Sequence, residues 1–468
     1  MKWYRSPEAA GVDRRAIGAF LQALEEHDYR IHALLLARRD GVFYADAAAP
    51  YTLDTPHRLC SAAKSMLVLS MLAAMEEGRV HPEDPVLSFF PEAENTDPRM
   101  ARMTVEDLLT MRSGQEEDPF PALFADFDDD LIHRFLRTPL AEEPGRTFRY
   151  NNTIPHMIFA VTERAVGEKF EAYQNRSFCT PMDAPILAPT NPRGQYNPVV
   201  TSVSAMSFMK YALLFLREGD WFGQRLLQPE SIRRACALHT ATGLKGNGAG
   251  YGWQIWRNAF GGCRMDGGWG QYAMILPEED AAAVILSDMT DSAYALEAFE
   301  QYLLPALGRH EPLPWKEGEP LPRIAAMAPA GAAEPAAFLR ENAYRLPDGQ
   351  RLQVKCQEDR ALVTVGEETV PVGLHGQWLS HPRHLWAEPA FSIDRSVWGV
   401  DAAPCLFSGG WEAPDCLTFL GKSLGEMGEY RYRLSFRPDH VDIAYTPVMC
   451  HDVSNLREAA TMRGELMP

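Results

Sequence analysis

Hydrophobic residues in the first part of the chain recur every three or four positions, a spacing that places them on one face of an α-helix. Within residues 11–28 this spacing involves Ile17, Phe20, Leu21 and Leu24. From Ser61 to Met75 most positions are apolar, and no proline or glycine occurs before Gly78. The pattern therefore predicts an amphipathic first helix and a buried second helix that begins near Ser61. It predicts further helices at residues 154–166, 203–217, 229–238 and 293–307.

Short apolar runs predict strands at both ends of the same region. Residues 31–37 and 42–44 flank Asp40-Gly41, and this dipeptide is typical of a hairpin turn. After a glycine-rich loop, four runs have a strand-like pattern, at residues 253–256, 263–266, 272–276 and 281–287. Strands at both termini with helices between them predict an α+β domain over residues 1–310, in which both ends of the domain contribute to one antiparallel sheet.

The composition changes after residue 310. Residues 311–337 are rich in proline and alanine, which predicts a linker. In residues 338–468 apolar and polar positions alternate between short turns, so we expect a small all-β domain, either a barrel or a sandwich. The pattern leaves open whether this domain covers an active site, mediates dimerisation or stabilises the chain.

The net charge and the length of the apolar runs limit the partners expected for this chain. The chain has 468 residues and a formal net charge of −18, which argues against nucleic acid or an anionic membrane as the main partner. The longest apolar runs reach about half of the ~20 residues needed to span a bilayer. The N-terminus has no secretory pattern, so we expect a cytoplasmic protein. A small molecule is the expected partner, and a homodimer is left open.

Neither a metal nor a cofactor is expected. The eight cysteines are scattered without a C-x-x-C pair or zinc spacing, so reduced thiols are the default interpretation. His381 and His384 form the closest histidine pair, but Pro382 lies between them and no acidic residue or cysteine follows at ligand spacing. We expect this pair to lie in a surface loop rather than to bind a metal.

The candidate chemistry begins with Ser61 and Lys64, which stand three residues apart at the start of the predicted buried helix. Residues at this spacing share a helix face, so the hydroxyl and the ammonium can meet. Desolvation weakens the preference of a lysine for its charged form, and such a lysine can take a proton from a neighbouring hydroxyl. The pair alone is also compatible with a helix-capping serine and a lysine whose stem packs on apolar surface.

Two further segments add to this pair, in order along the chain: Tyr150-Asn151-Asn152 and Asp266-Gly267-Gly268. Together with Ser61-Ala62-Ala63-Lys64 they resemble the motifs of serine hydrolases with the penicillin-recognising fold. This family includes class C β-lactamases, D-alanyl-D-alanine carboxypeptidases, D-aminopeptidases and lactamase-like esterases. The likeness covers about residues 10–307, and it implies a β-lactamase/transpeptidase-like fold for residues 1–310.

The resemblance also implies roles. Ser61 would attack a carbonyl and form an acyl-enzyme, Lys64 would assist the loss of the hydroxyl proton, and Tyr150 would act as base or as proton donor to the leaving group. Asn152 would hold Lys64 and the substrate. The third motif, which includes Gly268, would line the substrate site, and the backbone N–H groups of Ser61 and Trp269 would form the oxyanion hole.

Asp266 departs from the family pattern, which usually has lysine or histidine at this position to bind a substrate carboxylate. If the Asp266 carboxylate faces the substrate, it would repel penicillins and peptides ending in D-alanine. A neutral or amine-bearing substrate, such as a small ester or an amino-acid amide, would then fit. The alternative is that Asp266 pairs with a nearby arginine, Arg264 or Arg257.

Three functions are therefore weighed. The first is a serine hydrolase acting on a small ester or amide, as an esterase, amidase or aminopeptidase. The second is a β-lactamase or D-alanyl-D-alanine carboxypeptidase, which the carboxylate at Asp266 disfavours. The third is a binding or sensing module that keeps the fold without turnover.

Overall fold

In a computed structural model of the protein, the described residues are 1–94, 96–116, 130–191, 193–196, 198–289, 291–329, 331–340, 342–382, 385, 404–425, 429–448 and 460–467. Their helices are α1 Arg14–Glu26, α2 Ala62–Glu76, α3 Val105–Leu109, α4 Leu131–Arg137, α5 Ile154–Val166, α6 Phe170–Gln174, α7 Thr180–Met182, α8 Ala205–Leu216, α9 Pro229–Cys236, α10 Ala293–Ala298 and α11 Leu304–Leu307. Two π-helical segments, Asn175–Cys179 and Phe299–Leu303, connect α6 to α7 and α10 to α11.

The strands that precede the predicted linker are β1 Lys2–Trp3, β2 Ile31–Arg38, β3 Gly41–Ala47, β4 Pro56–Arg58, β5 Ser202–Ser204, β6 Asp220–Trp221, β7 Gln224–Arg225, β8 Thr240–Ala241, β9 Gly250–Tyr251, β10 Trp256–Arg257, β11 Cys263–Gly267, β12 Gln271–Leu276 and β13 Ala281–Ser287. Those that follow it are β14 Ala343–Arg345, β15 Arg351–Cys356, β16 Arg360–Val365, β17 Glu368–Gly373, β18 Leu379–His381, β19 Cys405–Ala413, β20 Cys416–Ser423, β21 Glu429–Phe436, β22 His440–Val448 and β23 Ala460–Leu466.

The first sheet joins the two ends of the region before the linker. Its strand order is β1-β3-β2-β13-β12-β11-β10-β9-β8, and β2 pairs antiparallel with β13, with Leu35 opposite Val284. Every residue of β2 and β13 is buried, because α8 packs on one face of the sheet and α1 on the other. The sheet confirms the predicted α+β fold, although it is not antiparallel throughout, because the edge strand β1 pairs parallel with β3. The domain boundaries at residues 310 and 338 stay a prediction.

Helix α2 lies between this sheet and the helical region. Its residues from Ala62 to Ala74 are all buried, which explains why the sequence shows apolar residues on every side rather than along one stripe. The helix ends before Gly78, whose φ is +68°. Although α2 is apolar, neither it nor any other described helix is long and apolar enough to cross a membrane.

The predicted strand at residues 253–256 is wrong. Only Trp256 of this run belongs to a strand, and it pairs with Tyr251 of the preceding strand. The residues between them form a turn in which Gln254 has a φ of +57° and donates its backbone N–H to the Leu109 carbonyl over 2.9 Å. Trp253 and Ile255 are buried in the core although they lie in a loop. Their spacing therefore reflects burial and not strand pairing.

The second sheet contains ten strands among the described residues and follows the order β17-β16-β15-β14-β23-β22-β21-β20-β19-β18. An additional pairing between β17 and β19 closes it into a barrel, which decides between the two predicted all-β architectures. The apolar faces of its strands fill the interior, for example with Val363, Phe407, Phe419 and Tyr432.

A group of polar side chains, all buried except the partly exposed Arg30, lies where the barrel meets the first sheet. We call it the interface cluster, and its members are Arg30, His32, His57, Asp288, Lys422 and Glu429. Lys422 of β20 forms an ion pair with Asp288, which follows β13, and its Nζ lies 3.9 Å from Oε2 of Glu429. Arg30, which precedes β2, pairs with Glu429. Two cations and two carboxylates therefore balance each other across the domain contact.

Two histidines complete the interface cluster. His32 Nε2 lies 3.2 Å from Oδ1 of Asp288, and His32 Nδ1 lies 2.6 Å from Nε2 of His57. Burial lowers the pKa of His32 to about 4, and burial followed by the effect of His32 holds the pKa of His57 well below its ordinary value. Both imidazoles are therefore neutral at pH 7.

We expect the free energy of unfolding to fall as the pH drops from about 6.5 to 4. In this window the unfolded chain protonates His32, whose pKa is near ~6.5 without burial, while the folded protein keeps it neutral until about pH 4. The loss from this residue alone is on the order of 3 kcal/mol. Urea denaturation at a series of pH values measures it. In His32→Gln the slope of the free energy of unfolding against pH should decrease by the equivalent of about one proton. An unchanged slope would contradict the prediction.

Candidate active site

The start of helix α2 brings Ser61 and Lys64 together. Ser61 is the N-cap residue of this helix, and Cys60 before it has a φ of +49°. One turn into the helix, Lys64 is 1% exposed, and its Nζ donates a hydrogen bond of 2.6 Å to Ser61 Oγ. The predicted contact between hydroxyl and ammonium is therefore present, in surroundings from which water is largely excluded.

The segment before α5 supplies two further partners for the same ammonium. Lys64 Nζ donates to Tyr150 Oη over 2.9 Å and to Asn152 Oδ1 over 2.8 Å. The intervening Asn151 is buried, and its Oδ1 accepts the Thr153 backbone N–H over 2.8 Å. Lys64 thus connects the serine hydroxyl to a phenol and an amide, while Asn151 anchors the loop that carries both.

Strand β11 runs along the start of α2, and this approach depends on Gly267. A Cβ atom built on Gly267 would lie 2.1 Å from the Leu59 carbonyl oxygen and 3.0 Å from the Ala62 nitrogen, so only glycine fits here. Gly268 borders open space, since a Cβ there would meet no atom within 4 Å. The end of β11 therefore lies beside the backbone on either side of Ser61.

Trp269 follows with a φ of +63°, and its side chain packs on Cys60. Its carbonyl oxygen accepts hydrogen bonds from the Met289 backbone N–H and from Gln271 Nε2, both over 3.2 Å, and another from the Ser287 hydroxyl. These donors fix the orientation of the residue whose N–H the sequence assigned to the oxyanion hole.

Asp266 is paired with Arg264, as one of the two sequence alternatives expected. Arg264 Nε and Nη2 lie 2.8 and 2.7 Å from Asp266 Oδ2, while Arg257 bonds the Cys236 carbonyl instead. Burial raises the pKa of Asp266, and the Arg264 guanidinium and then Lys64 oppose that effect. The side chain of Asp266 is 23% exposed and that of Arg264 only 4%, so Asp266 is the more exposed member of a largely buried pair.

An aromatic wall, formed by Phe148, Tyr150, Tyr251 and Trp256, flanks Lys64. The ring of Tyr150 stacks on Trp256 with centroids 5.9 Å apart, and Phe148 and Tyr251 contact the same indole. The Arg264 guanidinium carbon lies 5.8 Å from the centroid of the Trp256 ring. The sequence analysis missed Trp256 and Phe148 as site residues, although Phe148 is two residues from Tyr150.

His156 on α5 is a further residue that the sequence analysis missed. It is 3% exposed, and burial, followed by the positive charge of Lys64, lowers its pKa to about 3. The imidazole is neutral at pH 7, so it adds no second positive charge beside Lys64. A single histidine on an apolar helix face has no sequence signal that separates it from an ordinary core residue.

A family model described as Beta-lactamase matches residues 17–307. The chain belongs to the β-lactamase family. Among curated relatives, this β-lactamase-family protein is 28% identical over 195 residues to Esterase EstB of Burkholderia gladioli, covering 36% of the chain and 49% of the relative. The chain therefore spans about half the length of that curated relative.

Two solved structures share the fold of this β-lactamase-family protein, although each is only 16% identical to it in sequence. A penicillin-binding protein homologue from Caulobacter crescentus has a TM-score of 0.52 at 16% identity, covering 62% of this chain and 98% of that one. The octameric penicillin-binding protein homologue from Pyrococcus abyssi has a TM-score of 0.50 at 16% identity, covering 96% of this chain and 99% of that one. The second likeness extends through the barrel, so the predicted fold class is confirmed, as the family model over residues 17–307 confirms the predicted family.

Proposed function

We propose that this protein is a serine hydrolase that cleaves a small ester or amide through an acyl-enzyme on Ser61. The observation that carries the proposal is the position of Lys64 Nζ, within 2.9 Å of Ser61 Oγ, Tyr150 Oη and Asn152 Oδ1. A buried amine in contact with a serine hydroxyl and a phenol provides a path for the proton that must leave the nucleophile. The name of the relative EstB supports the esterase reaction.

In this mechanism Tyr150 starts as a phenolate beside the Lys64 ammonium, which favours the anion. Ser61 Oγ forms a bond to the substrate carbonyl carbon while its proton passes through Lys64 to this phenolate, which becomes a neutral phenol. The carbonyl oxygen becomes an oxyanion that accepts hydrogen bonds from the N–H groups of Ser61 and Trp269. The bond to the leaving group then breaks, and Tyr150 returns the proton to the departing alcohol or amine. Water attacks the acyl-enzyme with the same groups in reverse, which releases the acid and restores the Ser61 hydroxyl.

The substrate class follows from the two charged groups beside the site. Because Arg264 offsets the negative charge of Asp266, a neutral substrate meets no net charge there, whereas the more exposed carboxylate still disfavours an acidic substrate. The aromatic wall favours an apolar group on the acyl or leaving side. A neutral ester or amide with one apolar group is the substrate that best fits these features.

Asp266→Asn should improve the relative use of acidic substrates, since it leaves Arg264 without its counter-charge next to the site. We expect the ratio of kcat/KM for p-nitrophenyl hemiglutarate to that for neutral p-nitrophenyl pentanoate to rise about tenfold, equivalent to roughly 1.4 kcal/mol. The two esters have similar length, so the ratio reports charge. Asp359→Asn, which removes a partly exposed carboxylate paired with Arg360 on the barrel, is the control. An unchanged ratio in Asp266→Asn would remove the electrostatic basis of the substrate proposal.

The reaction itself is tested by labelling and turnover on the wild-type protein. A fluorophosphonate and a labelled penicillin are each incubated with the protein, the mass of the intact chain is measured, and the modified peptide is mapped. A panel of p-nitrophenyl esters and amino-acid p-nitroanilides measures hydrolysis. Modification of Ser61 with ester or amide turnover supports the proposal. Rapid penicillin turnover without ester hydrolysis would favour a β-lactamase, and neither labelling nor hydrolysis would favour a binding module.

A further inference from the structure

The interface cluster connects the barrel to the part of the site that faces the oxyanion. Asp288 lies between Ser287 and Met289, and both of these neighbours donate hydrogen bonds to the Trp269 carbonyl. Gln271 Nε2 also bonds the Ser287 carbonyl, over 2.6 Å. The position of the Trp269 peptide therefore depends on where the backbone on either side of Asp288 lies.

Lys422 fixes the Asp288 side chain from the barrel. Lys422 is fully buried and Asp288 is 2% exposed. Although burial opposes it, the Lys422 ammonium holds the pKa of Asp288 well below its ordinary value, so the carboxylate is charged and needs this partner. A buried carboxylate that loses its cation is strongly destabilised, which gives the chain a strong preference for one position of the Asp288 segment.

A second contact joins the barrel to strand β4, which precedes Ser61. The backbone N–H of Arg58 donates to the carbonyl of Gly425 in the barrel over 2.9 Å. Gly425 has a φ of +78°, and a Cβ there would lie 2.1 Å from the Pro56 carbonyl oxygen, so this contact also needs glycine. Ser61 thus lies three residues from a contact with the barrel, and the Trp269 carbonyl is bonded by the two neighbours of Asp288, which the barrel holds.

From these contacts we infer that Lys422, through its ion pair with Asp288, is a positioning residue of the hydrolytic site, contributed by the barrel domain. The inference rests on the proposed function. Lys422 does not touch the substrate. It holds the Ser287–Met289 segment, which in turn orients the Trp269 N–H toward the developing oxyanion. Preorganised donors of this kind act on the transition state and leave substrate binding nearly unchanged.

The test separates positioning from stability with a double variant. Lys422→Met and Asp288→Asn each leave a buried polar group without its partner, so each should lower the melting temperature. The double variant Lys422→Met/Asp288→Asn removes both charges, and its melting temperature should recover. Positioning predicts that its kcat for a p-nitrophenyl ester stays at least about tenfold below wild type at unchanged KM. Lys355→Met, the same substitution at an exposed site on the barrel, is the matched control.

The outcomes distinguish this inference from the function on which it rests. If the double variant regains both its melting temperature and its kcat, Lys422 is only structural and the inference is wrong. If the wild type is neither labelled by fluorophosphonate nor active on esters, the proposed function fails instead.

A measurement on the wild type covers the case in which the variants do not fold. In hydrogen exchange with increasing urea, peptides containing Trp269 and Lys422 should lose protection together. Opening of the Lys422 peptide that leaves the Trp269 peptide protected would overturn the inference.

Discussion

Replacing Ser61 by alanine should abolish labelling by fluorophosphonate and lower kcat/KM for p-nitrophenyl esters by on the order of 10⁴-fold or more. The variant keeps Lys64, Tyr150 and Asn152 but has no oxygen that can form the acyl-enzyme. The removed hydroxyl is only one of the hydrogen-bond acceptors of Lys64 Nζ, so the fold should persist. Intact mass after incubation with the probe and circular dichroism measure the two expectations.

Ser65→Ala is the matched control for this prediction. Ser65 lies one turn further along the same helix and is more deeply buried than Ser61, and its hydroxyl donates to the Gln254 carbonyl and not to the proposed catalytic groups. This variant should still be labelled. Labelling that persists in Ser61→Ala and maps to another residue would contradict the assignment of the nucleophile.

Lys64→Met should have the second largest effect, with kcat reduced about 10³-fold. Methionine fills a similar volume but cannot accept or pass on a proton, and it cannot hold Tyr150 and Asn152 in place. The melting temperature should rise or stay unchanged, because a buried ammonium costs desolvation energy that an apolar side chain does not. Ester hydrolysis tests the expected loss of kcat, and the melting temperature of the same preparation tests the expected effect on stability.

Lys64→Arg separates charge from proton transfer. The guanidinium keeps the positive charge but remains protonated at any accessible pH, so it cannot act as the base and activity should stay low. Near-normal activity in Lys64→Arg would show that the cation alone suffices, and near-normal activity in Lys64→Met would exclude Lys64 from the mechanism.

The contact between Ser61 and Lys64 could be predicted from local spacing, whereas the placement of Tyr150 and Asn152 beside Lys64 was implied by the resemblance to hydrolases of the penicillin-recognising fold. Ser61 and Lys64 share a helix face, and the Tyr150-Asn151-Asn152 segment precedes an apolar helix that packs on the first one. The role of Gly267 could not be predicted, because its need for glycine comes from the Leu59 carbonyl oxygen across the site. The sequence motif shows that position 267 is glycine. The close approach of this residue to Leu59, which requires glycine, is visible only in the structure.

Other features depend on contacts between distant parts of the chain. Asp266 had two possible arginine partners in sequence, and the course of β11 and the turn before it decided for Arg264. The interface cluster joins Asp288 to Lys422 across two domains, and neither residue belongs to a recognisable motif. The strand predicted at residues 253–256 failed for a related reason, since burial of apolar residues in a loop gives the same alternation as a half-buried strand.

The strand order of the first sheet has a consequence for how the protein is made. β2 is paired on both sides, by β3 and by β13, and the residues around Ser61 contact Tyr150, Gly267 and Gly425 or their neighbours. The ribosome adds every one of these later than Ser61. We therefore expect Ser61, the proposed nucleophile, to be synthesised before the groups that surround it in the folded protein. A chain that ends before Tyr150 carries Ser61 and Lys64 without Tyr150, Asn152 and β11, so acylation should require these later segments as well.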